Sequence, residues 1–304
     1  MKPLRDVATV ELGIATDARF GPVIFVRPAR SHSLVQRRAL MLPPLNARLA
    51  ADLLAHAAPG GMHQQGDPRI ADALVDARTR LSALACMLPW VRTLVLETVV
   101  ASGGRVSVSA PRFDVEPERR LMRGYPHMAI HPYPVELIGD VVLRNGTLVH
   151  VRPIRPEDAP LEQAFVHDLS EESRYYRFFY RLNELTLAML ARFTQVDYDR
   201  ELALVALIDV ATNPAFAGVA RYIANPDHGS AEFAVVADAW QRRGVARVLM
   251  RGLIVCAKRR GFERLNGTVL RANEPMLAFV RTLGFTVKDD PEDPGQLCTT
   301  LLLH

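Results

Sequence analysis

The chain has 304 residues, 49% of them hydrophobic, and a formal charge of +4; that is apolar material for about two buried cores, and the basic residues are spread too evenly to form a nucleic-acid footprint. No apolar run approaches the length of a membrane span, and the N-terminus MKPLRDVATVELG lacks the basic-then-apolar layout of a signal peptide, so a cytoplasmic protein with no membrane partner is expected. Cys86, Cys256 and Cys298 are too far apart to read as a disulfide framework or a metal site, and no metal is expected.

Val7 to Ala15 and Pro22 to Val26 are short, apolar and β-branched, and the intervening DARFGP supplies turn residues, which predicts two strands. Ser33 to Leu42 is a candidate third. Leu45 to Ala58 has helical composition, and PGGMHQQGDPR ends it. In Ile70 to Leu88, Ala73, Leu74, Ala77, Leu81, Leu84, Ala85 and Leu88 recur at helical spacing, the buried stripe of a long helix. Thr93 to Val100 and Arg105 to Ser109 flank Ser102-Gly103-Gly104, a tight hairpin signal.

Three stretches of this region, RFGPVIF at Arg19 to Phe25, LPPLN at Leu42 to Asn46 and ADALVDARTRLSALACMLPWV at Ala71 to Val91, resemble the C-terminal part of the ATP-grasp region of nucleoside-diphosphate-forming acyl-CoA synthetases. The positions that carry chemistry in that family differ. Its Gly-rich, glutamate-containing stretch is here Arg27-Pro28-Ala29-Arg30-Ser31-His32-Ser33, which gives up the close backbone approach that phosphates need. Its magnesium-binding Glu-Leu-Asp-Ile-Asn-Pro is here Thr93-Leu94-Val95-Leu96-Glu97-Thr98, with one carboxylate left. Residues 1–115 are therefore expected to be a degenerate, non-catalytic ATP-grasp remnant. Residues 116–139, with a Pro-rich, aperiodic sequence, read as a linker. His127 and His131 stand four apart in it, but Pro132 and Pro134 oppose the helix that would align them on a metal.

From Asp140, VVLRNGTLVHVRPI predicts two strands about Asn145-Gly146, and Pro156-Glu157-Asp158 opens a helix. Two or three more helices run to about Val196. Leu202 to Val210, Ala217 to Ile223 and Ala231 to Ala237 read as strands. Gln241-Arg242-Arg243-Gly244-Val245-Ala246 then joins strand to helix, and such a Gly-bearing turn presents unpartnered N–H groups to an anion. The helix is expected to bury Val245, Val248, Leu249, Leu253 and Cys256 and to expose Arg247, Arg251 and Lys258, with Gly261 as its stop. Leu265 to Leu270 reads as a strand, Asn273-Glu274-Pro275 as the start of a helix, and Leu297 to Leu303 as the last strand.

The turn resembles the pyrophosphate-binding motif, Gln/Arg-x-x-Gly-x-Gly/Ala, of the GNAT N-acyltransferase superfamily. VRPIRPEDAP at Val151 to Pro160, SEESRYYRFF at Ser170 to Phe179, DYDRELALVA at Asp197 to Ala206, AEFAVVA at Ala231 to Ala237 and NEPMLAFVRTLGF at Asn273 to Phe285 are similar to the acyltransferase domain of bacterial protein-lysine acetyltransferases fused to an acyl-CoA synthetase. The resemblance implies an α/β (α+β) chain whose residues 140–304 form a GNAT domain with a mixed, mainly antiparallel sheet behind the smaller remnant. It also implies acetyl-CoA as cosubstrate and a protein partner of the acyl-CoA synthetase class, modified on lysine.

Period two puts Glu232 on one face with Ala234 and Val236. The resemblance assigns Glu232 the role of general base, and a solvent-facing strand residue is the alternative. By the same resemblance the backbone of Phe233, Ala234, Val235 and Val236 binds the pantetheine arm, and Gln241, Arg242, Arg243, Gly244, Val245 and Ala246 bind the pyrophosphate. Asn273 either reaches the cofactor or caps its own helix. The Tyr that many members carry as general acid is Val280 here, which leaves that role unassigned. By the same resemblance Ser173, Arg174, Tyr175, Arg177, Asp197 and Asp199 lie in the helical region that lines the acceptor side, and structural ion pairs and aromatic core are the alternative. A small-molecule amine acetyltransferase and a CoA-responsive regulator without turnover are the competing readings. Oligomeric state is not legible.

Overall fold

A computed structural model of the chain describes residues 8–28, 39–57, 68–101, 105–121, 125–227, 229–237 and 243–303. The chain divides into two units, Met1–Pro132 and Tyr133–His304.

In the first unit, β1 (Ala8–Asp17), β2 (Gly21–Pro28), β3 (Ala39–Met41), β4 (Val91–Ala101) and β5 (Arg105–Val115) form a sheet of order β3-β2-β1-β4-β5. Its described pairings are antiparallel. Two helices, α1 (Ala47–Ala57) and α2 (Pro68–Met87), cover one face. Alternation puts Val10, Leu12, Ile14, Ile24 and Val26 on that face, where they meet Leu53, Leu74 and Leu81 of the helices. Each such aliphatic side chain contributes about 1.5–3 kcal/mol by leaving water. The β1–β2 turn is set by Asp17, whose carboxylate accepts from the N–H groups of Arg19 at 2.8 Å and Phe20 at 3.0 Å. Those bonds hold its carboxyl below the ordinary Asp range. The candidate strand over Ser33 to Leu42 is described only at its end, as β3. The Ser102-Gly103-Gly104 hairpin tip lies outside the described residues. His127 and His131 are engaged separately: the His127 Nε2 bonds the Ala85 carbonyl at 2.9 Å, and the His131 ring stands edge-on to Tyr125.

The second unit holds a sheet of order β12-β13-β11-β10-β9-β8-β7-β6. The strands are β6 (Gly139–Val142), β7 (Leu148–Pro153), β8 (Glu201–Ile208), β9 (Ala215–Ala224), β10 (Ser230–Val236), β11 (Arg264–Leu270), β12 (Thr286–Asp289) and β13 (Gln296–Leu302). β10 and β11 pair parallel, and the other pairings are antiparallel. The helices are α3 (Ala159–Asp168), α4 (Glu171–Phe178), α5 (Leu187–Thr194), α6 (Val245–Arg260) and α7 (Glu274–Thr282). The start of α3 is fixed by a buried pair: Arg152 donates to both oxygens of Asp158 at 2.6 and 2.7 Å, and Asp158 also accepts from the Arg155 N–H at 2.7 Å. The two sheet faces bury alternate residues of β8. Leu202, Leu204 and Ala206 pack with Leu249, Met250 and Leu253 of α6, whereas Ala203, Val205 and Leu207 pack with Phe165 and Val166 of α3.

Three details differ from the pattern read in the sequence. β12 was not expected, because TVKD has a single strongly apolar residue and owes its extended form to pairing with β13. On α6, Val248 is half-buried while Met250 is fully buried, since the stripe that meets the sheet is rotated by about one position. Arg247 is half-buried rather than exposed and donates to Thr282 Oγ1 at 2.9 Å, a partner on α7 that helical periodicity alone does not reveal.

Candidate active site

β10 is hydrogen-bonded to β9 from Ala231 to Val236 but to β11 only from Ser230 to Glu232. Beyond Glu232 the two parallel strands separate, so the edge of β10 from Phe233 to Val236 that faces β11 has no strand partner among the described residues. Backbone groups on such an edge need acceptors and donors from elsewhere. The Phe233 ring lies against Gly267 of β11, where a Cβ would come within 2.5 Å of it. Phe285 backs the same ring at 4.9 Å between centroids.

A cleft of about 1390 Å³ opens at this separation. Glu232, Phe233, Ala234, Val235 and Val236 line it along β10, Gly267 to Val269 along β11, and Arg243, Gly244, Ala246 and Arg247 at the head of α6. Glu232 is exposed to it at the last residue pair the two strands share. Phe233 and Val235 point to the α6 side, and Val236 to the side of α3 and α5. Alternation sets Glu232 and Ala234 on that second side too.

Gly244 caps α6 with φ 98° and ψ −3°, a left-handed conformation. Among the described residues no atom beyond its chain neighbours lies within 4 Å of where its Cβ would stand, and the backbone angle itself demands glycine here. The first intrahelical bond runs from the Val248 N–H to the Gly244 carbonyl at 3.0 Å. The N–H groups of Val245, Ala246 and Arg247 thus have no acceptor inside the helix and stand at the positive end of its dipole. Gln241 and Arg242 of the same motif lie outside the described residues.

Asn273 lines the cleft and caps α7, its side chain accepting from the Met276 N–H at 3.1 Å. Val280 is fully buried in the α6 core and offers no proton. Sequence reasoning missed Tyr176, which lines the cleft with its hydroxyl 2.9 Å from Glu172 Oε1 and 3.3 Å from the Ala272 carbonyl. The hydrogen bond to Glu172 raises its pKa. Only the meeting of α4 with the start of α7 brings it there.

Of the helical residues singled out in the sequence, Ser173 and Arg177 line the cleft. Arg174 donates to the His167 carbonyl at 2.7 Å, Tyr175 faces outward, and Asp199 pairs with Arg260 at 3.4 Å. Asp197 serves the turn before β8, accepting from the Asp199 N–H at 3.1 Å. Glu162 and Arg221, both buried, were also missed. Burial raises the Glu162 carboxyl, opposed by Arg221 and Arg177, and burial lowers Arg221, opposed by Glu162 and Glu201. Their signal was an acid between Leu161 and Phe165 in a helix and a lone Arg in the apolar run of β9. Among the described residues no group of three or more His, Cys, Asp or Glu side chains has the arrangement of a metal site, and no helix is long and apolar enough to cross a membrane.

Comparison with known proteins agrees with this geometry. The profile of the acetyltransferase (GNAT) family matches residues 164–285, and that of an ATP-grasp domain matches residues 1–114. The chain is 36% identical over 162 residues to "Acetyltransferase PA5475" of Pseudomonas aeruginosa, covering 53% of this chain and 87% of that protein. It is 32% identical over 157 residues to "Acetyltransferase Pat" of Mycolicibacterium smegmatis, covering 51% of this chain and 44% of Pat, so it spans less than half of that relative. The crystal structure of the GNAT domain of S. lividans PAT superposes with a TM-score of 0.52 at 34% identity, over 57% of this chain and all of that one. With 87% of a 36%-identical acetyltransferase covered, the chain belongs to the GNAT family and is an acetyl-CoA-dependent N-acetyltransferase.

Proposed function

We propose that the chain acetylates lysine side chains of a protein partner, of the acyl-CoA synthetase class, with Glu232 as general base. The observation that carries this reading is the separation of β10 from β11 with an exposed carboxylate at its base and a Gly-headed helix beside it. The pyrophosphate of acetyl-CoA binds at the turn from Gln241 to Ala246, through N–H groups at the head of α6. The pantetheine arm lies along Phe233 to Val236 as an added strand, and an N–H of that edge polarises the thioester carbonyl. Glu232 takes a proton from the lysine ammonium, directly or through water. The freed nitrogen attacks the carbonyl carbon, the C–N bond forms, the C–S bond breaks, and the second proton of that nitrogen passes to the departing thiolate or to solvent. Coenzyme A leaves as a thiolate, a good enough leaving group to depart without a dedicated acid.

The acceptor is tested with labelled acetyl-CoA and the purified chain, a purified acyl-CoA synthetase against a panel of small amines. Label on a synthetase lysine is the expected result. Label only on small amines replaces the protein acceptor with a metabolite, and label on neither, with acetyl-CoA bound, turns the reading into regulation without turnover.

A further inference from the structure

The cleft floor beside Ala234 and Val236 carries a charge imbalance that acetyl transfer does not use. Arg177 of α4 and Arg221 of β9 line it, and both lie in the field of one buried carboxylate, Glu162 of α3, across a small cavity that all three line. A third arginine, Arg192, is neutralised by Glu201 at 2.7 Å. Arg221 is held by the Phe193 carbonyl at 2.8 Å and by the Phe193 ring, 4.6 Å from its guanidinium carbon.

Arg177 differs. The rings of Phe178 and Phe193, at 5.2 and 5.9 Å, fix its guanidinium. Those contacts supply no anion, and none of the described residues gives it a hydrogen-bond acceptor or an ion pair. Burial pulls its pKa down to about 10, with Arg221 adding to the shift and Glu162 opposing it, so it is a cation at neutral pH. A half-buried guanidinium without an acceptor is costly, and a carboxylate matches its planar fork. Arg177, Phe193, Ala234 and Val236 line both the cleft and, behind it, a cavity of about 10 Å³. That is room for about one water, so a group that reaches Arg177 stops there.

We propose that Arg177, backed by Arg221, is a carboxylate-binding subsite of this cleft. The inference rests on the proposed course of the donor along β10. The carboxylate belongs either to a dicarboxylic acyl group on coenzyme A, such as succinyl, or to an acidic group beside the acceptor amine. The subsite holds it without consuming it: the amine still displaces the thiolate, and Glu232 still takes the proton.

The test compares kcat/KM of the full chain within two matched pairs. Succinyl-CoA against butyryl-CoA asks whether the acyl group bears the carboxylate, and lysine peptides with Glu or Gln next to the lysine ask the same of the acceptor. One pair is expected to favour its acidic member, and Arg177→Gln to lower that ratio about ten- to a hundredfold, the range for a hydrogen bond to a charged group. Glu162→Gln removes the competing carboxylate and is expected to raise the ratio, which keeps the test open if Arg177→Gln does not fold by thermal unfolding. Equal values within both pairs, alongside acetyl transfer by the same preparation, overturn the subsite and leave the acetyltransferase reading intact. If acetyl transfer itself is absent, the acceptor reading fails, and calorimetric binding of succinyl-CoA against butyryl-CoA decides the subsite on its donor arm.

Discussion

Glu232 stands at the last residue pair before β10 and β11 part, where a carboxylate reaches the cleft while its own strand is still anchored on both sides. Glu232→Gln keeps the shape and removes the proton acceptor. Turnover at neutral pH is expected to fall by about 10²- to 10⁴-fold, with acetyl-CoA affinity little changed and part of the rate returning as rising pH deprotonates the acceptor amine. Wild-type rates across pH would return Glu232 to the solvent-facing role. Gly244 makes a different demand, on conformation. Its φ of 98° strains any L-residue, so Gly244→Val is expected to cost about 1–3 kcal/mol or to shift the turn, and to weaken acetyl-CoA binding in calorimetry. Arg243→Ala, which leaves the backbone alone, is expected to cause a smaller loss that fades with salt. Unchanged affinity in the Gly244 variant removes the pyrophosphate from this turn.

At the scale of elements, the site is a defect in a ladder. A parallel pair that stayed closed would satisfy the backbone of Phe233 to Val236 internally and leave no edge for a pantetheine arm. At that separation the Phe233 ring lies over Gly267, with Phe285 behind it. Gly267→Val forces that ring to move and overpacks the α6 core, which is expected to cost about 1–3 kcal/mol in denaturant unfolding and to weaken acetyl-CoA binding. Normal affinity at reduced stability would show that this contact serves packing and not the site. On the opposite face α4 and α5 supply arginines and aromatic rings to the cleft floor.

For the whole molecule, the two units raise separate questions. In the first, Pro28 closes β2, and the stretch Thr93 to Glu97 lies in β4 with Glu97 opposite Glu11, itself paired with Arg27. With Glu11 taken up by Arg27, Glu97 is the one carboxylate that stretch brings to a cation, which makes a poor magnesium site. The first unit is therefore expected to give no specific Mg-ATP response. A ligand at a hundredfold its dissociation constant stabilises by about 2.7 kcal/mol, so thermal unfolding with and without Mg-ATP would register a real site. Magnesium-dependent stabilisation that vanishes in Glu97→Ala would restore a nucleotide function to it.

Sequence alone determined the order of nearly every strand and helix, because period-two and helical stripes and the turn residues at Asn145-Gly146, Gly244 and Gly261 are local properties of the chain. It also singled out Glu232, the strand after it and the Gly244 turn, since a motif keeps its spacing along one strand-turn-helix unit. What it did not determine depends on elements distant in the chain. β12 is extended only because β13 pairs with it, and Arg247 is tied down only because α7 brings Thr282 alongside. Tyr176 enters the cleft through α7, and Glu162, Arg177 and Arg221 come together from a helix, another helix and a strand. None of their own segments marks them for this site: Tyr176 and Arg177 sit in a polar helix, Glu162 among other polar residues of α3, and Arg221 in an apolar strand. Their burial and charge environment follow from which faces the tertiary fold presses together, and no local periodicity records that.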